Sequence, residues 1–107
     1  MSNAIIIVPT AGRTYEDIVA DREKGVKKIG EKGQYSIRDN LMETRYSEEM
    51  LKSLGIISKK MFFLSKVLES MAGCEVAYFA SGWENDDLTK DEHRIAVEMG
   101  IDILAEE

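Results

Sequence analysis

Two apolar runs settle most of what this chain can become. Ala4 to Val8 (AIIIV) is continuous and β-branched, and it breaks at Pro9 and Gly12. A segment this short, apolar at every position and ended by turn formers, reads as a strand buried on both faces, because a strand with one wet face alternates instead. Glu75 to Ala80 (EVAYFA), following Gly73, supplies a second central strand. Strands of that kind need helices on both sides.

The intervening sequence has helical period. Thr14 followed three residues later by Asp17 resembles a capping box, and Ile18, Arg22, Val26 and Ile29 recur at helical spacing until Gly30 and Gly33, which predicts a helix over roughly 15 to 31. Gln34 to Arg38 (QYSIR) alternates weakly and predicts a peripheral strand ended by Asp39 and Asn40. Ser47, with Glu48 and Glu49 in the first turn, opens a helix that is interrupted or bent near Gly55 and runs to Ala72. Its stripe Ile57, Met61, Leu64, Leu68 and Met71 is expected to face the core. After a polar loop, Ser81 to Leu88 (SGWENDDL), Thr89 starts a helix to Met99, Gly100 ends it, and Ile101 to Leu104 (IDIL) is a last short strand. Strand and helix alternate throughout, which implies a small Rossmann-like three-layer α/β sandwich with a mostly parallel sheet of about four strands.

Composition narrows the function classes. With 107 residues, 44% of them hydrophobic, the chain is expected to form a single domain over 1–107. A net charge of −6 repels phosphate backbones and no local basic patch offsets it, so no nucleic acid polymer is expected as a partner. The longest apolar run, Ala4 to Val8, falls far short of the roughly 20 residues of a membrane span, and no basic stretch precedes it as in a signal peptide. No membrane association and a cytoplasmic location are therefore expected. One cysteine, Cys74, and one histidine, His93, allow neither an internal disulfide nor the usual zinc cage, so neither a metal nor a cofactor is expected.

In parallel α/β sheets ligands lie outside the carboxyl ends of the strands, near the point where strand order reverses. Candidate binding residues are accordingly Pro9, Thr10, Gly12 and Arg13 after the first strand, and Ser81, Gly82 and Trp83 after the second central one. The first group is either an anion site, with Arg13 clamping a phosphate at a helix amino terminus, or an ordinary turn. Trp83 either offers a flat face to a base or sugar or covers the core. Glu92 shares a helical face with Ala96 and Met99, at the edge of the crevice, where a carboxylate suits nucleophilic or acid–base work. It also fits a capping box with Thr89, bonding that residue's amide. His93 is expected to point away, into solvent.

The stretch from Cys74 to Leu104 resembles the nucleoside 2-deoxyribosyltransferase-like superfamily, especially its short, often phage-encoded branch. The shared pattern is a strand ending in a Gly-Trp loop, then an acidic residue, a glutamate, an alanine and a glycine, met here by Gly82-Trp83, Asp86, Glu92, Ala96 and Gly100. The resemblance implies that Glu92 is the nucleophile attacking the anomeric carbon of a nucleoside or nucleoside monophosphate, with Asp86 holding the sugar hydroxyls or helping to protonate the base. A carboxylate can both stabilise oxocarbenium-like charge and form the covalent ester. It further implies a homodimer or higher homo-oligomer. The amino-terminal half departs from the pattern: the family's first-strand tyrosine has no counterpart among Ile5, Ile6, Ile7 and Val8. Three functions remain open: N-glycosidic cleavage or deoxyribosyl transfer, a non-catalytic nucleotide-binding protein that senses or sequesters its ligand, and an interaction module in which Glu92 only caps a helix.

Overall fold

A computed structural model gives the fold and describes residues 2–39 and 46–105. Its elements run β1 (Ser2–Ile7), α1 (Tyr15–Lys32), β2 (Tyr35–Asp39), α2 (Glu48–Ser53), α3 (Lys59–Met71), β3 (Val76–Phe79), α4 (Asp87–Glu98) and β4 (Asp102–Ala105), with a short 3-10 turn at Trp83–Asn85. The four strands form one sheet in the order β2-β1-β3-β4, and every neighbouring pair is parallel. β1 and β3 lie at its centre, in register from Ala4 opposite Val76 to Ile7 opposite Phe79. The small Rossmann-like α/β architecture expected from the sequence is the one observed.

The two apolar runs fill both faces by the period of two inherent in a strand. Ala4, Ile6 and Val8 join Val76, Tyr78 and Ala80 against Ile18 and Ile29 of α1. On the other face Ile5 and Ile7 join Ala77 and Phe79 against Val67 and Met71 of α3 and Ala96 of α4. Each fully buried isoleucine contributes about 1.5–3 kcal/mol of transfer free energy, so β1 alone supplies a large share of the driving force. β2 is peripheral, as its weak alternation predicts; Asn40, expected to end it, lies outside the described residues.

Three helical expectations need correction. The buried stripe of α1 is Ile18, Asp21, Gly25 and Ile29, whereas Val26 is exposed. Gly25 belongs there because the helix crosses β3 so closely that a Cβ would lie 2.7 Å from Tyr78 Cδ1. The helix from Ser47 is interrupted near Gly55, one of the two forms expected, and it is the stripe beyond the break that needs correction: Ser58 caps a separate helix, α3, by accepting from the amide of Met61. The break resets the helical phase: Phe63, Val67 and Met71 are buried, while Ile57 is 100% and Met61 72% exposed. The last helix begins at Asp87 rather than Thr89, with Asp86 as its cap. Asp86 Oδ1 accepts from the amides of both Leu88 and Thr89 at 3.0 Å, an arrangement that satisfies two of the helix's open donors at once.

Candidate functional site

The chain leaves β1 toward one edge of the sheet to form β2 and returns to the opposite side of β1 to form β3. The strand order therefore reverses between β1 and β3, and the loops that follow these two strands part there. A cleft of about 950 Å³ opens at this point. One wall is Pro9, Thr10, Ala11 and Arg13 after β1; the other is Ser81, Gly82, Asn85, Asp86, Asp87 and Leu88 after β3. Asp21 and Lys24 of α1 and Lys60 of α3 complete it.

Local backbone chemistry shapes both loops. Gly12 has φ +71° and Gly82 φ +92°, left-handed values that disfavour any residue with a Cβ. Gly12 thus serves the turn and is not part of the cleft wall, whereas Gly82 does both. The two loops come close at this point, since a Cβ at Gly82 would sit 3.8 Å from Pro9 Cγ.

Of the two readings of the turn after β1, an anion site or an ordinary turn, the side-chain pairing favours the second. Arg13 turns its guanidinium inward: Nη2 lies 2.6 Å from Asp21 Oδ2, and Nη1 donates to Pro9 O at 3.2 Å. Thr14 Oγ1 accepts the Asp17 amide, and Glu16 and Asp17 place two carboxylates in the first turn of α1. An anion approaching this helix end meets the like charge of these two carboxylates. Lys24 and Lys60 are also matched, Lys24 to Asp21 at 3.7 Å and Lys60 to Asp91 at 2.8 Å. The hydrogen bond from Lys60 holds the Asp91 carboxyl below, and the Lys60 ammonium above, their ordinary pKa values. Burial raises the pKa of Cys74, an inert thiol behind the sheet.

Trp83 covers the core instead of facing the cleft. Its indole stacks on His93, with ring centroids 3.7 Å apart and planes 14° from parallel, and meets Phe79 edge-on at 5.9 Å. His93 is correspondingly half-buried, not solvated, and it also packs edge-on against Phe79 at 4.8 Å. Burial lowers its pKa, with the nearby charge of Glu84 opposing the shift.

Glu92 is fully buried (0% exposed) in α4, beside Ala96 on the face that meets the sheet, and it is not among the residues that wall the cleft. The capping box with Thr89 does not form. The Thr89 amide belongs to Asp86, and the Thr89 hydroxyl donates to Trp83 O at 2.9 Å. Met99, assigned to the same face as Glu92, is 70% exposed.

Of the expected site residues, Pro9, Thr10, Arg13, Ser81, Gly82 and Asp86 are brought together, while Gly12, Trp83 and Glu92 do not line the cleft. Asp21, Lys24, Lys60 and Asn85 were not anticipated. Asp21 left one signal: it falls three residues after Ile18 and eight before Ile29, inside the buried stripe, where an acid needs a reason. Lys60 reaches the cleft from a helix distant in sequence, and nothing local announces it. Among the described residues no group of three or more His, Cys, Asp or Glu side chains is placed to hold a metal ion, and no helix is long and apolar enough to cross a membrane.

The sheet and its cleft define a small parallel α/β protein with a polar ligand-sized opening at its topological switch point. Compared with family models, curated proteins and solved structures, the chain finds no match in any of the three.

Proposed function

We propose that this protein binds a nucleoside or nucleoside monophosphate in the cleft between the ends of β1 and β3. The observation that carries the reading is the position of the cleft: an opening of about 950 Å³, walled by polar loops, at the point where strand order reverses. Charge narrows the ligand class. The three cations of the wall, Arg13, Lys24 and Lys60, each have a carboxylate beside them, and Asp86 and Asp87 add negative charge. Such a wall suits a sugar and base with few charges better than a polyphosphate.

A second reading, N-glycosidic cleavage or deoxyribosyl transfer, is favoured by one specific feature. A glutamate with 0% exposure in the helix that begins at the cleft loop is expensive to keep, and acids retained at such positions cluster at functional sites. In this reading Glu92 is the nucleophile, which requires that substrate binding open its carboxylate to the cleft, and Asp86 is the residue that orients the sugar or protonates the base.

One experiment tests both readings. The parent protein and its Glu92→Gln variant are incubated with ribo- and deoxyribonucleosides, their monophosphates and NAD; released base is followed by chromatography and melting temperature by calorimetry. A raised melting temperature with intact ligand supports binding without chemistry. Base released by the parent and not by the variant supports the glycosidic reading. No thermal shift and no release with any of these compounds refutes both.

A further inference from the structure

The loop that forms one wall of the cleft has little of its own to hold it. Between Gly82 and Asp86 the chain makes a single 3-10 turn, Trp83–Asn85, and none of its three residues is fully buried. Its backbone bonds are those of a turn, from Trp83 N to Ala80 O, Asn85 N to Gly82 O and Asp86 N to Trp83 O, at 3.1–3.3 Å. Its tryptophan is tied to the rest of the protein by the hydroxyl of Thr89 on Trp83 O, by the His93 ring lying flat on the indole and by an edge-on contact with Phe79, while Asp86 at its far end caps α4. His93 in turn is backed by Phe79, the last residue of β3. The imidazole thus links the strand end, the loop and α4 in one aromatic stack.

We propose that His93 is a positioning residue of the cleft, a latch whose neutral imidazole holds Trp83, and through it residues 81–86, in the arrangement that forms the cleft wall. The inference rests on the cleft being the ligand site, since only then does the loop's order bear on function.

The surroundings define the sense of the latch. β3 presents uncharged Phe79 to the imidazole, and the 3-10 turn presents Trp83 with Glu84 as the neighbouring charge. On α4 itself Asp91 lies 3.7 Å from Arg94, and Lys60, the cation that α3 brings to α4, is also matched to Asp91. Burial disfavours the proton, while Glu84 and the indole face, which attracts a cation stacked on it, favour it; burial is the larger effect, so protonation weakens the stack. Acidification is expected to release the loop.

The chain contains one histidine and one tryptophan, so two spectroscopic signals report on this contact alone. On the ligand-free protein, the histidine is titrated by NMR, Trp83 emission is recorded from pH 7.5 to 5, and amide exchange protection is measured over residues 83–86. Expected are a histidine titrating below the ordinary imidazole value of about 6.5, a red shift of emission on acidification, and loss of protection in step with the titration. His93→Ala should lower protection at pH 7.5 by about tenfold, as loss of a strong aromatic pair would. His93→Phe, which keeps the stack and cannot take a proton, should restore protection and abolish its pH dependence. The proposal is overturned if the alanine variant keeps the parent's Trp83 emission and protection, if the histidine titrates above its ordinary value, or if parent and phenylalanine variant lose protection together on acidification. Because these readouts need no ligand, a nucleotide that fails to bind refutes the ligand reading separately.

Discussion

Gly25 and Gly30 lie in the same helix, and the structure assigns opposite signs to replacing each by alanine. Alanine is favoured over glycine in a helix interior by about 1 kcal/mol, and this gain applies at both positions. At Gly30 a Cβ meets nothing within 4 Å, so the gain stands and the variant should be stabilised by about 0.5–1 kcal/mol. At Gly25 a Cβ would lie 2.7 Å from Tyr78 Cδ1, 3.0 Å from Cε1 and 3.1 Å from Ile6 Cγ2. Relaxed carbon contacts are about 3.5–4.0 Å, so one side must move by nearly 1 Å. Tyr78 and Ile6 are both fully buried in the central strands and have no open space to turn into. Because neither neighbour can give way, the upper part of the range for overpacking applies, about 2–3 kcal/mol, which exceeds the propensity gain and leaves a net loss of about 1–2 kcal/mol. Urea unfolding should show a lower midpoint with an unchanged slope, and the melting temperature should fall by about 5–10 °C. If Gly25→Ala is as stable as the parent, or if both variants move in the same direction, the close crossing of α1 over β3 is refuted.

Further predictions concern the cap, the reset helix, the titrating ring and the buried acid. Asp86→Ala removes the acceptor of two amides and should cost about 1 kcal/mol in denaturant unfolding, whereas Asp86→Asn, which keeps an acceptor, should stay within about 0.5 kcal/mol of the parent. Ile57→Lys should change stability by no more than about 0.5 kcal/mol because the side chain is fully exposed, while Phe63→Ala should cost about 3 kcal/mol or more; equal effects would restore the single continuous stripe. Since burial depresses the His93 pKa, the unfolded chain takes up the proton first. Its contribution to stability is then full above about pH 6.5 and is lost as pH falls, a trend that His93→Phe should remove from the pH dependence of the urea midpoint. Glu92→Gln, similar in shape, should shift the melting temperature by only a few degrees; a large loss would give the carboxylate a structural role.

The strands were legible because a parallel sheet leaves a local mark: AIIIV and EVAYFA are apolar at nearly every position, and both became the central strands. Helix α1 was also found, but its buried face was misread, because the pattern was followed through Val26 when the packing uses Gly25. A glycine carries no hydrophobic signal, and its fitness at a close helix crossing depends on Tyr78, far along the chain. The phase of α3 was misread for a related reason: a stripe extrapolated from Ile57 ignores the break at which Ser58 starts a new helix. Pro9, Thr10, Arg13, Ser81 and Gly82, expected from their proximity to the ends of β1 and β3, line the cleft, as does Asp86, which entered through the family resemblance. Orientation was less legible: Trp83 takes the second of its two expected places, over the core, while His93 and Glu92 point elsewhere than spacing alone suggested.

What the sequence by itself determined is the set of elements and their order, since hydrophobic period, caps and turn residues act within a few residues of one another and need no distant partner. From that order alone follow a parallel sheet, a reversal between the two central strands and a crevice there. The tertiary structure alone decided which way each side chain in the crevice faces. Arg13 is drawn to Asp21, Lys60 to Asp91 and Trp83 to His93, and each pairing is a competition between burial, charge and water that is resolved only when helices brought from separate parts of the chain meet.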